Sequence, residues 1–345
     1  MLGFQCWVSN VGFPMLGFQC WVSNVGFPML GFQCWVSSAS RMHRINFQMN
    51  NIEGLVAATH TPFDEHSQLD LAKIGPLTDR LIEQGVAGLF VCGSTGEGVS
   101  LTAEERKLVA AEFVKQTAGR IPVIVHVGHN SIEQGRELAA HAAEIQADSI
   151  SATCPSYFKP ADIDSLVGCM ERIAGGAPDL PFYYYHIPAL TGVALEMAAF
   201  LAAAGSRIPS LKGLKFTAAS AHDFLACKQF EGGRYDVLWG YDEMLLSGLA
   251  MGARGGVGST YNFAAPLYLK IIAAFDTGNL EEARRLQTTS VDMIRAIVKY
   301  SFHGACKEIM RLQGVELGPC RLPLTNLTPE QAVSLKQDLE PFGLF

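Results

Sequence analysis

Nine cysteines stand alone along the 345-residue chain, at Cys6, Cys20, Cys34, Cys92, Cys154, Cys169, Cys227, Cys306 and Cys320, with no C-x-x-C pair and no metal-ligand spacing. That absence excludes a cysteine-held metal module and the disulfide framework of a small secreted domain. It reads as reduced thiols of a cytosolic protein, buried as small hydrophobes. Charge is also scarce: 17% of residues are charged, against about 25% in an average soluble domain. With 49% apolar residues, this describes a compact globule with much buried surface, subunit interfaces included. The 26 basic and 33 acidic residues give a net charge of −7 with no basic run, which argues against nucleic-acid binding.

Residues 1–37 repeat MLGFQCWVSNVGFP twice in full and then as far as MLGFQCWVS. The fourteen-residue period stops before the main pattern begins, unlike a solenoid repeat, which continues. Each copy carries Gly, Pro or Asn breakers and no basic first region, so neither a membrane helix nor a signal peptide fits. Residues 1–44 are expected to be an appended segment, disordered or a duplication scar, with no membrane role.

From Asn51 onward, short apolar runs alternate with amphipathic stretches. Strand-like runs span Leu55–Thr61, Val86–Cys92, Pro122–Val127, Ser149–Cys154, Phe182–His186, the segment ending at Lys215, Tyr235–Trp239 and Gly255–Thr260. Helical periods lie between them at Asp70–Gln84, Thr102–Gln116, Ser131–Ile145, Asp162–Ala174, Ala194–Ala204, Ala221–Phe230, Glu243–Met251 and Ala265–Phe275. Thr102 and Glu105 form the T-x-x-E signature of a capping box. Eight strand–helix units predict an α/β fold, a (β/α)8 TIM barrel over residues 51–278, followed by C-terminal helices within 279–345. No G-x-G-x-x-G follows the first strand, which disfavours a doubly wound sheet.

In such a barrel the chemistry sits at the C-terminal ends of the strands. Lys215 ends an apolar run in Gly213-Leu214-Lys215-Phe216-Thr217. A lysine in that low dielectric finds its ammonium costly, and a neutral amine attacks ketones to form Schiff bases. The alternative is a lysine snorkelling to water at a strand end. The second strand ends in Gly93-Ser94-Thr95-Gly96-Glu97-Gly98, a turn whose N–H groups and hydroxyls suit an anion. It lacks a P-loop lysine, which favours a carboxylate over a nucleotide, though it also suits a purely structural turn. The fifth ends in Tyr183-Tyr184-Tyr185-His186, where alternation sets Tyr183 and Tyr185 on one face and Tyr184 and His186 on the other. A phenol beside a Schiff-base lysine can relay a proton, while aromatic packing explains any one of the three equally well. The seventh and eighth deliver Gly240-Tyr241-Asp242-Glu243 and Gly258-Ser259-Thr260. These carboxylates and hydroxyls suit a polyhydroxylated ligand. They also suit the start of a helix, and no histidine pair accompanies them to make a metal site.

The set G-S-T-G-E-G, Y-x-I-P-A-L-T-G, G-L-K-F-T, G-Y-D-E and G-S-T-Y-N resembles the N-acetylneuraminate lyases, class I aldolases of the wider family that includes dihydrodipicolinate synthase. The likeness spans Asn51–Pro323 and is strongest to the animal members. It implies Lys215 as the Schiff-base lysine, Tyr185 as the proton relay, and Ser94 and Thr95 on the substrate carboxylate. It implies Thr217, Gly240, Asp242, Glu243 and Ser259 on the sugar hydroxyls, and Tyr157 reaching a neighbouring subunit's site in a cytoplasmic homotetramer. No cofactor or metal is implied, and the partners are small molecules: N-acetylneuraminate, N-acetylmannosamine and pyruvate. Where synthase-like sequences carry an arginine for a second carboxylate, this chain has Leu190, and leucine cannot make that bidentate contact.

Overall fold

Short runs that are apolar on both faces can be stable only as strands covered on both sides, which is the environment of a parallel barrel. A computed structural model describes residues 51–345; the extension expected over residues 1–44 lies outside the described residues. Eight strands, β1 (Gly54–Ala58), β2 (Gly88–Val91), β3 (Val123–His126), β4 (Ser149–Ala152), β5 (Phe182–His186), β6 (Leu211–Phe216), β7 (Asp236–Trp239) and β8 (Gly255–Gly258), pair in parallel in chain order, and β8 closes on β1. Helices α1 (Ile74–Glu83), α2 (Ala103–Thr117), α3 (Ile132–Glu144) and α4 (Ile163–Ala174) ring the first half. The second half carries α5 (Pro188–Thr191), α6 (Met197–Ala204), α7 (Ala221–Gln229), α8 (Leu245–Ala250) and α9 (Tyr261–Asp276). After the barrel come α10 (Leu280–Ile297), which packs along α9, then α11 (Phe302–Leu312) and α12 (Pro329–Leu339). The chain is the expected (β/α)8 barrel with added C-terminal helices.

Alternation along the strands sorts the core into two clusters. Val56, Phe90, Ile124, Tyr183, Tyr185, Leu238 and Val257 fill the barrel interior. Their neighbours Leu55, Leu89, Val91, Tyr184, Phe216 and Trp239 face the helices. A buried side chain of this size contributes roughly 1.5–3 kcal/mol, so a one-residue slip of any strand would exchange the clusters at heavy cost. The interior also holds polar groups; among them Asp236 accepts hydrogen bonds from Tyr183 OH (2.9 Å) and from the Ile52 backbone N–H (3.0 Å).

Helix starts follow side-chain capping where the cap is local. Thr102 Oγ1 accepts from the Glu105 N–H (3.2 Å) while the Thr102 N–H donates to Glu105 Oε2 (2.9 Å), the predicted reciprocal box. The period starting at Ala194 does not become helix until Met197, because the cap comes from elsewhere. The carboxylate of Asp223, on α7, accepts the N–H groups of Met197 (2.9 and 3.1 Å) and Ala198 (3.1 Å). The single-turn α5 was not expected from the sequence; Pro188 at its first position and Gly192 at φ +67° after it bound the turn.

Candidate active site

Parallel pairing of β5 with β6 sets Tyr185 directly opposite Lys215. Both side chains point into the barrel and are nearly buried, at 3% and 4% exposure. Lys215 Nζ lies 4.0 Å from the centre of the Tyr185 ring and 4.1 Å from that of Phe90, on β2. Among the described residues no carboxylate comes within ion-pair distance of this nitrogen. The amine therefore sits between two aromatic faces, which exclude water from all but its open side.

The phenol is oriented by packing. The Tyr185 ring meets Phe90 edge-on at 5.5 Å and His126, from the end of β3, edge-on at 5.9 Å. His126 accepts from the Thr153 N–H at Nε2 (3.3 Å), and its carbonyl accepts from the buried guanidinium of Arg106 (2.6 Å). Burial first, then the nearby charges of Arg106 and Lys215, hold its pKa well below the usual histidine value, so the ring is uncharged at neutral pH. His186 faces the helices, its ring tilted against Phe216 at 5.2 Å, and burial brings its pKa down to about 4. The expected parity of β5 holds for all four residues Tyr183–His186.

At the end of β2, the turn from Gly93 to Gly98 folds back on itself. The N–H groups of Glu97 and Gly98 are spent internally, on Ser94 O (3.1 Å) and Gly93 O (3.0 Å), so donors for an anion come from the residues before them. The Thr95 hydroxyl is 2.6 Å from the Ser259 hydroxyl, just past β8, which ties together two strand ends that flank β1. A Cβ at Gly98 would overlap the carbonyl of Cys92, so this turn closes only around glycine. Glu97 departs from the motif-level picture: its carboxylate points away from the barrel mouth into an ion pair with Lys307.

Across the mouth, Thr217 follows β6, with its hydroxyl buried and unpartnered by protein, and a Cβ at Gly240 would overlap that hydroxyl. Asp242 opens a helical turn after β7, but its carboxylate turns to β8, accepting from the Thr260 N–H (2.8 Å) and Thr260 Oγ1 (2.6 Å). Burial raises its pKa to about 6, with the Thr260 bonds opposing the shift. Glu243 is half-buried beside it.

Lys215, Tyr185, Ser94, Thr95, Thr217, Gly240, Asp242, Glu243 and Ser259 all lie on or just beyond strand C-terminal ends, at one mouth of the barrel. Tyr157 does not join them within the chain. It stands 79% exposed between β4 and α4, its ring against Phe158 and its N–H on Asn130 Oδ1 (3.2 Å). Phe90 and His126 belong to the lysine pocket and were not singled out by motif; strand parity, placing each on the inward face of its strand, is the signal that finds them. A separate cavity of about 760 Å3, lined by Asp64, Lys73, Lys307, Arg311 and Glu316 among others, borders none of these residues. Its lysines are tied to Asp70 (3.1 Å) and Glu97 (2.7 Å), so it offers no free amine for the same chemistry. Among the described residues no three His, Cys, Asp or Glu side chains converge as a metal-binding group.

Residues 51–341 match the dihydrodipicolinate synthetase family. N-acetylneuraminate lyase A of Xenopus laevis is 44% identical over 282 residues, covering 81% of this chain and 92% of that protein. Among solved structures, Proteus mirabilis N-acetylneuraminate lyase is 39% identical with a TM-score of 0.84, over 86% of this chain and 100% of that one. A catalytic lysine mutant of Ruminococcus gnavus sialic acid aldolase is 29% identical with a TM-score of 0.81, over 85% and 96%. Barrel, strand-end motifs and these likenesses agree, and the chain belongs to the dihydrodipicolinate synthetase family.

Proposed function

We propose that this protein is a class I aldolase that cleaves N-acetylneuraminate to N-acetylmannosamine and pyruvate through a Schiff base on Lys215. The observation that carries the reading is the β5–β6 register, with the buried, carboxylate-free amine 4.0 Å from the Tyr185 ring. Support also comes from the curated relatives, which are named N-acetylneuraminate lyases, and from the Ruminococcus gnavus aldolase, a similar barrel described as having a catalytic lysine.

In this reading Ser94 and Thr95 hold the substrate carboxylate, which brings C2 of the open-chain sugar acid to Lys215. The neutral amine adds to the C2 ketone, and uptake of one proton from solvent as water leaves gives a protonated imine that can accept an electron pair. Tyr185 takes the C4 hydroxyl proton as it hands its own phenolic proton to the bound substrate carboxylate, the C3–C4 bond breaks, and its electrons enter the imine as an enamine while the C4 aldehyde departs as N-acetylmannosamine. Protonation at C3 and hydrolysis of the imine release pyruvate and the free lysine. The step balances without a metal or organic cofactor. Thr217, the Gly240 backbone, Asp242, Glu243 and Ser259 orient the hydroxylated tail, which fits a polar, partly buried rim.

Leu190, 64% exposed on α5, offers no bidentate contact to a second carboxylate, which favours cleavage of a sugar acid over synthesis of a dicarboxylate. A second reading keeps the aldolase and changes the sugar acid; Thr217, Asp242 and Glu243 are the residues that decide. The exposed aromatic pair Tyr157 and Phe158, at 79% and 86%, supports a homotetramer in which a second copy covers it. The described cysteines are all unpaired, which supports a cytoplasmic setting, and among the described residues no helix is long and apolar enough to cross a membrane.

The test is borohydride reduction in the presence of pyruvate, with the adduct mapped by mass spectrometry, alongside pyruvate release from N-acetylneuraminate followed through lactate dehydrogenase. An adduct on the Lys215 peptide together with pyruvate release is the expected result. An adduct without release from this substrate moves the reading to another sugar acid. Sugar binding with neither adduct nor release would leave a non-catalytic barrel and overturn the proposal.

A further inference from the structure

The one acidic residue of the anion-binding turn is turned away from the anion. Glu97 sits at φ +55°, a left-handed conformation uncommon for a residue with a side chain, and that side chain has no exposed surface. Its Oε1 lies 2.7 Å from Lys307 Nζ, on α11, in an ion pair whose angle falls outside hydrogen-bond geometry. Its Oε2 accepts the Arg321 backbone N–H at 2.8 Å. Lys307 is fixed in turn, donating to the Pro319 carbonyl (3.0 Å) and lying 4.4 Å from the Phe63 ring centre. Arg321 forks onto Glu105 (2.7 and 2.8 Å), the residue that caps α2 just after the turn. Two more contacts reach the turn's backbone from outside β2 and α2: His303 Nε2, on α11, lies 3.1 Å from Ser94 O, and Thr61 Oγ1 donates to Gly96 O (2.6 Å).

The segment beyond the eighth unit therefore reaches back and grips the strand-two turn from behind, residue by residue. Electrostatics makes the ion pair consequential. A free carboxylate at Glu97 would stand two residues from the hydroxyl of Thr95 and repel an anionic substrate. Paired with Lys307, it contributes no net charge there.

We infer that Glu97 and Lys307 are positioning residues of the substrate-carboxylate site, the ion pair anchoring the Ser94–Thr95 turn to α11 and cancelling the negative charge beside the bound anion. The inference rests on the reading of Ser94 and Thr95 as the carboxylate site, and its test separates the two. Half-saturation by pyruvate in the borohydride-trapping assay is measured for the wild type, for Lys307→Met and for the double variant Glu97→Gln, Lys307→Met, together with amide hydrogen exchange of residues 93–98 in the ligand-free proteins.

Lys307→Met leaves Glu97 uncompensated and is expected to raise the half-saturating pyruvate concentration by more than about tenfold, with the maximal trapping rate within about threefold of wild type. The double variant buries no net charge, folds like the wild type and is expected to recover part of that affinity, while its turn exchanges faster because the anchor is gone. Should the single variant fail to fold, the double variant carries the test. Wild-type half-saturation together with wild-type exchange in any folded variant overturns the inference, since a purely structural pair lowers the amount of folded protein without moving affinity. If the wild type itself traps no pyruvate, the carboxylate reading falls, and the exchange comparison still decides whether the pair anchors the turn.

Discussion

Two lysines in this barrel are equally hidden, Lys215 and Lys307, each at 4% exposure, and they have opposite surroundings. Lys307 has a carboxylate at 2.7 Å and a backbone carbonyl at 3.0 Å. Lys215 has two aromatic ring centres at 4.0 and 4.1 Å and no counter-ion among the described residues. A buried ammonium is tolerable when paired: burial lowers the Lys307 pKa, the Glu97 carboxylate opposes that shift, and the pair joins two segments. Lys215 is buried with no ion pair to hold, which is the setting that the proposed Schiff-base chemistry uses. What separates the two lysines is the group each one meets, not depth.

The sharpest way to break that comparison is to remove each amine in turn. Lys215→Met is expected to abolish the pyruvate adduct and lower kcat by at least about 10^4-fold, while leaving the melting temperature unchanged or raised, because no partner is left unpaired. Lys307→Met is expected to destabilise the fold by about 3–5 kcal/mol, because Glu97 is left buried without its counter-ion, with only the Arg321 N–H still bonded to it. Calorimetry on both variants decides; equal melting shifts would show that pairing does not distinguish them.

A smaller effect is expected from Tyr185→Phe, which keeps the ring packing against Phe90 and His126 and removes only the hydroxyl. Cleavage should slow by about 10^2- to 10^4-fold while pyruvate trapping stays near wild type, since imine formation does not depend on the relay. Single-turnover kinetics against trapping rates would separate the two steps.

Next in size is a pH effect. Asp242 has its pKa raised to about 6 by burial, above the roughly 3.9 of an exposed aspartate. The folded state thus holds the proton more tightly than the unfolded one, so this group's contribution to stability declines as pH rises from about 4 to 6, and its ionised form is complete only above that range. If the carboxylate accepts a sugar hydroxyl, kcat/KM falls as pH drops through about 6, and Asp242→Asn flattens that limb while lowering kcat/KM by about tenfold at neutral pH. A pH–rate profile that keeps the limb in the variant would assign it elsewhere. The smallest effect is expected at the local cap: Thr102→Ala should cost about 1 kcal/mol in chemical denaturation with trapping unchanged, marking a contact that holds a helix and not the site.

Much of the architecture was readable in advance because it rests on local periods. Phe182–His186 is a strand with the same bounds read from its apolar and aromatic run, and helices follow the barrel within residues 279–345 as expected. Lys215, Tyr185 and the glycine turn were legible because barrel topology sends every strand end to one mouth. Other parts were not, and each for a non-local reason. The start of α6 depends on Asp223, some 25 residues away. Parity places His126 inward, but its edge-on contact with the Tyr185 ring is settled only when β3 and β5 share the barrel interior. Asp242 looks like an ordinary helix-start acid until Thr260 is seen to claim it.

Sequence alone determined the eight alternating units, the side of each strand that faces inward, and the amine and hydroxyls delivered to the barrel mouth, because periodicity and strand polarity are properties of neighbouring residues. Only the tertiary structure decided which buried lysine has a counter-ion, and that Glu97 turns toward Lys307 on α11. Those outcomes depend on charges from residues more than two hundred positions apart in the chain, whose desolvation and pairing are settled when the C-terminal helices dock against the barrel.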